Sequence, residues 1–292
     1  MVQTLLNCIV GSRGLGNQLP GSDMNLRELV FHGPEDVVTA PTTSFTGSGT
    51  CSKWPLSAFL QKILSFNWEC LEILFGDPKN FLRFDPILTP LWRARDRLVC
   101  YEMIDSLADR AEKMFKRAFK VEKQEGLNKD RTYNPNLVVH SFNLIHNLQN
   151  LLGQGLFKSQ ILMVGPDILD GVFRRGYNRE HLCCHFRELI TNLRQEQLNQ
   201  IRSPSSRERN RGEGPQSNFP PILSKETRTA IIEIGEEILS KAKVGQIGKP
   251  TRGEDWKHLL RGEELRLSDH TECLSMSDYI RILNWRDGTK KS

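Results

Sequence analysis

The sequence lacks any uninterrupted apolar run of the ~18 residues that a membrane-crossing helix requires, so an ordinary transmembrane helix is excluded. It also lacks paired cysteine motifs. The seven cysteines are odd in number and irregularly spaced, and Cys183 and Cys184 are adjacent. That pattern suits neither a disulfide framework nor a C-x-x-C metal knuckle, and it predicts reduced, packed thiols. Charge of one sign is missing too. Forty Lys+Arg against thirty-five Asp+Glu leave a net +5, which permits a nucleic-acid partner without demanding one. The familiar catalytic signatures are absent: no H-E-x-x-H, no G-x-S-x-G elbow, no Walker lysine. The first residues carry neither the basic start nor the long apolar stretch of a secretion signal. The resulting expectation is a soluble chain made in the cytosol, with no disulfide scaffold and no recognisable enzyme motif.

What is present is ordinary globular material, 38% hydrophobic and 26% charged in 292 residues. Composition divides it into a loop-rich N-terminal segment (1–53), a main helical domain (54–202), a linker (203–221) and a C-terminal helical region (222–292). Within the first zone, Gly33–Ser52 is dominated by Gly, Ser, Thr and Pro and reads as a connector, and Asn25–Phe31 reads as a short helix. Pro55–Phe75 places Leu56, Leu60, Ile63, Leu64, Leu71 and Leu74 at helical spacing. Asp77-Pro78 stops that helix. Thr89-Pro90 opens a long helix to about Gln124, ended by Gly126. Further helices are expected over Leu137–Leu152, Arg179–Ile201 and after a Ser224 cap, with short ones near Glu254–Leu260 and Asp278–Trp285. Ile161–Val164 suits either a short strand or a buried turn. No alternating run of strand type stands out, so the predicted fold class is mainly α: an irregular multi-helix domain with a linker-separated C-terminal helical part.

Several clusters invite a chemical reading. Gly11, Gly14 and Gly16 form G-x-x-G-x-G. A phosphate loop requires a strand before it and a helix directly after it. The following Asn17-Gln18-Leu19-Pro20-Gly21 announces no helix, so a flexible segment is expected instead. His181, Cys184 and His185 share a helix face and could converge on zinc, but no fourth ligand is announced and Leu182 and Phe186 interleave with them; packed side chains are expected, and no metal or cofactor. Lys113, Lys116, Arg117 and Lys120 repeat at three- and four-residue steps along the end of the long helix, where a cationic face could grip phosphates. Trp54, Phe59, Phe66 and Trp68 lie partly off the aliphatic stripe of Pro55–Phe75, as in a helix taken up by a partner's groove.

In this last segment, Glu69-Cys70-Leu71-Glu72 followed by Leu74-Phe75-Gly76 and Pro78 resembles the F-box-like suppressors of RNA silencing from poleroviruses and enamoviruses. In that family a Leu-Pro-x-x-Leu/Ile core is followed at a set distance by a proline. Phe66 takes the place of the second apolar residue, with eleven residues between it and Pro78, while Lys62-Ile63 replaces the Leu-Pro pair. Gly253-Glu254-Asp255-Trp256 with Leu260-Arg261-Gly262 resembles an acidic-aromatic patch late in the same family. The resemblance implies a non-enzymatic adaptor of the host cytoplasm and nucleus. It would join a Skp-type adaptor of a host cullin ubiquitin ligase to Argonaute through Ile63, Phe66, Glu69, Leu71, Pro78 and Trp256. The alternative expectation is an α-helical RNA-binding viral protein, nucleocapsid-like or RNA-sequestering, using Lys113, Lys116, Arg117 and Lys120.

Overall fold

The computed structural model describes residues 2–15, 24–33, 40–46, 49–120, 133–155, 157, 163–175, 177–202 and 219–245. They fall into two compact units. One runs to Ala94 and resumes at Ala230; the other holds Arg95–Ser159 and Met163–Thr229.

The first unit is built on a five-stranded sheet, which corrects the expected mainly α class to α/β. Its strands are β1 (Gln3–Val10), β2 (Asn25–Phe31), β3 (Thr42–Thr46), β4 (Gly49–Pro55) and β5 (Phe81–Phe84), in the order β3-β4-β2-β1-β5. β2 and β4 pair in parallel and the other neighbours are antiparallel. Asn25–Phe31, expected as a short helix, is thus the central strand. The expected connector 33–52 contains β3 and most of β4, and the expected boundary at residue 53 falls inside β4. Strand β3 needs no apolar side chains, because it is an exposed edge strand held by backbone pairing.

Helices α1 (Gly11–Leu15), α2 (Leu56–Ile63), α3 (Trp68–Leu74) and α4 (Thr89–Ala94) complete the described part of this unit before Ala94. The single helix expected over Pro55–Phe75 is broken at Phe66, whose φ of 54° is left-handed. Asn67 then starts α3 afresh, its side-chain oxygen accepting from the amides of Glu69 (3.0 Å) and Cys70 (3.3 Å). Phe59, Ile73 and Leu74 meet Leu6 and Leu29 of the sheet around a void of about 10 Å³. That is no more than a single water could occupy, so the contact is closed.

The second unit is helical. It contains α5 (Tyr101–Ala118), α6 (Pro135–Gln154), α7 (Pro166–Asp170), which continues into a π turn (Gly171–Arg175), α8 (Arg179–Arg202) and the first turn of α9 (Lys225–Lys243). The long helix expected from Thr89 is divided by a 3₁₀ turn at Arg95–Leu98. Cys100, which offers no side-chain cap, precedes α5. The amides of Tyr101 and Glu102 donate instead to the carbonyls of Pro220 (3.0 Å) and Pro221 (3.1 Å). α6 begins at an Asn134 cap with Pro135 in its first turn and ends at Gly155, whose φ is +74°. Met163 and Val164 form no strand; the Met163 amide donates to Asn143 Oδ1 at 2.6 Å. Ser224 caps α9 by accepting from the Thr227 amide at 3.1 Å. Phe115, Phe142 and Phe186 cluster where α5, α6 and α8 meet. Residues 203–218 of the expected linker, 161–162, and the helices expected at 254–260 and 278–285 lie outside the described residues.

Candidate functional site

Two glycines constrain the backbone where β1 meets α1. β1 is an eight-residue run rich in β-branched and Leu residues, and it stops at Gly11. Gly11 has φ +69°, a left-handed conformation that costs other residues dearly, and the helix begins at that residue. At Gly14 the constraint is space. A Cβ there would stand 2.7 Å from the Ile9 carbonyl oxygen, so α1 lies on β1 at a distance only glycine permits. One glycine makes the turn and another allows close helix–strand packing, the roles glycines have in phosphate-binding crossings.

Polar side chains hold this turn. Asn80 Nδ2 donates to the Gly14 carbonyl at 2.7 Å. Asn25 Oδ1, at the start of β2, accepts from the Thr50 amide (3.1 Å) and Thr50 hydroxyl (2.7 Å). One alternation further, Arg27 donates to Ser52 Oγ at 2.8 Å and forms ion pairs with Glu69 (3.3 Å) and Glu72 (3.4 Å) of α3. Glu72 is 6% exposed, and it also accepts from the Gly11 amide. Burial pushes its carboxyl above the usual range, while Arg27 and the Gly11 amide pull it back. A charged lattice thus runs from α3 through the centre of the sheet to the glycine turn. The neighbouring thiols are poor nucleophiles: burial raises Cys70 and Cys51 above the ordinary thiol range. Among the described residues, no group of three or more His, Cys, Asp or Glu side chains converges as a metal site.

The residues singled out in the sequence are dispersed. Ile63 (0% exposed), Phe66 (5%) and Leu71 (0%) belong to the core of the first unit. Glu69 is half-buried in its ion pair with Arg27, Pro78 opens a 3₁₀ turn capped by Asp77, and Trp256 lies outside the described residues. Lys113, Lys116, Arg117 and Lys120 are exposed at the end of α5, as their spacing implies. Lys116 pairs with Glu112 at 3.4 Å; the other three have no acidic partner among the described residues. His181 lies against the Tyr177 ring (4.5 Å), His185 against Phe142 (5.3 Å), and Cys184 is exposed. Sequence reasoning missed Asn25, Arg27 and Glu72. The available signal was the apolar run Gln3–Val10 ending in Gly-Ser, a strand-then-turn pattern.

No protein-family model matches the chain, and no curated protein does. Among solved structures it has a faint likeness to a nucleotidyltransferase-like protein from Exiguobacterium sibiricum. That likeness is 13% identical, covers 92% of this chain and 76% of the other, and has a TM-score of 0.21, too slight to bear on fold or activity.

Proposed function

We propose that the first unit binds a nucleotide by its phosphates at the turn between β1 and α1. The observation that carries this reading is the crossing itself. A strand ends in a left-handed glycine, a helix follows without an intervening residue, and a second glycine lets that helix lie on the strand. The short helix Gly11–Leu15 starts at the first glycine of the G-x-x-G-x-G run and contains the second, while the third lies outside the described residues. A left-handed residue leading into right-handed backbone turns successive N–H groups toward one concavity, which suits an anion. One of those amides, from Gly11, already holds a carboxylate oxygen of Glu72.

The adaptor reading asks Ile63, Phe66 and Leu71 to face a partner, and their burial gives it no support. Titration with a fluorescent ATP analogue in Mg²⁺ tests the nucleotide reading. Saturable binding is expected, competed by ATP and by tripolyphosphate and weakened by Gly11→Ala, whose side chain strains the left-handed turn. No saturable binding at millimolar nucleotide overturns it. Incubation with an α-labelled triphosphate then shows whether binding leads to transfer.

A further inference from the structure

The second unit contains a groove of about 390 Å³ between α5 and α8. Its size is that of a small-molecule site. The walls are apolar: Phe115 (6% exposed) and Phe186 (5%) of the facing helices, with Ile190 (8%) one turn further along α8. The two rings stack on each other, centroids 4.1 Å apart and 6° from parallel. One face of each ring is therefore spent on the other, and the Ile190 side chain adds an aliphatic wall beside them. A wall of mixed aromatic and aliphatic surface suits an aliphatic body.

The rim is charged and unbalanced. Glu112 binds Arg194 at 2.7 Å and Lys116 at 3.4 Å, and Asp109 stands 4.0 Å from Arg194. Arg187, also on the rim, has no acidic partner among the described residues. An apolar channel with one uncompensated guanidinium at its mouth is complementary to an apolar chain ending in an anion. We propose that this groove binds a medium-chain acyl carboxylate, its chain along Phe115, Phe186 and Ile190 and its carboxylate on Arg187.

Cys183 lines the same groove and is half-buried, so its alkylation reports occupancy. The test uses the full chain with the neighbouring exposed thiol removed by Cys184→Ser, decanoate as probe, and iodoacetamide labelling of Cys183 read by peptide mass. Decanoate is expected to slow labelling saturably. Arg187→Glu should raise the half-protecting concentration roughly tenfold or more, and Arg187→Lys should restore much of the loss. Circular dichroism of each variant confirms that it folds. Unchanged labelling at saturating decanoate overturns the proposal. So does equal protection by decanol, which lacks the anion, or an Arg187→Glu variant that responds like the parent. Protection by oligothymidylate and not by decanoate would make the groove a polynucleotide surface instead.

Discussion

The two units spend their buried volume differently. At the centre of the first, Arg27 stands between Glu69 and Glu72 beneath α3, and Glu72 is 6% exposed. At the centre of the second, Phe142 (0% exposed) meets Phe115 at 5.9 Å, Phe186 at 5.4 Å and His185 at 5.3 Å. Burying ions costs much of what their attraction returns, so the first arrangement adds little net stability. Its effect is geometric: the paired oxygens and guanidinium nitrogens fix one another, out to the Gly11 amide. The aromatic cluster does the reverse. It is worth several kcal/mol and tolerates small shifts in where each ring sits.

Substitutions can break this contrast. Arg27→Ala strands Glu72 without its cation and should cost about 3–5 kcal/mol, and Phe142→Ala should cost a similar ~3–5 kcal/mol through its cavity; urea denaturation measures both. The difference lies in rescue. Arg27→Met combined with Glu72→Leu should recover most of the loss, because the unpaired charge disappears along with its partner. If the double variant stays as unstable as Arg27→Ala, the lattice is a source of stability and the contrast fails.

A smaller effect sharpens the second unit. Burial lowers His140, on α6, from 6.5 to about 4. Between those values the unfolded chain takes up a proton that the folded chain refuses. Stability is therefore complete above about pH 6.5 and falls as pH drops toward 4, by on the order of 3 kcal/mol. His140→Gln should flatten that part of the acid limb in melts across this range; an unchanged limb assigns the loss to other groups. The smallest effect belongs to Lys116, exposed in its pair with Glu112. Lys116→Ala should change the melting free energy by less than about 0.5 kcal/mol.

Helices with local stop and start signals were readable from the sequence. α6 has Asn134-Pro135 before it and Gly155 after it, and α9 has Ser224. The break before α5 was not, because the groups that cap it, the carbonyls of Pro220 and Pro221, come from about 120 residues away. The strands escaped for a different reason. β2 buries Leu29, Val30 and Phe31 consecutively, so neither an alternating nor a helical period appears. β3 is held by backbone pairing and small hydroxyl contacts to β4, so its Thr and Ser residues look like connector. At the candidate site, Gly11 and Gly14 were visible as letters, but the need for them arises from a φ of +69° and a 2.7 Å approach to Ile9 that only the folded chain defines.

Phe66 carries a consequence for how the chain tolerates change. Its backbone is in a conformation that glycine adopts freely, yet its ring is 5% exposed in the core. Glycine would relieve the torsion and empty the space, whereas a β-branched residue would fill part of the space and worsen the torsion. No common substitution improves both, so the reversal between α2 and α3 sits at a local optimum from which single steps lead downhill.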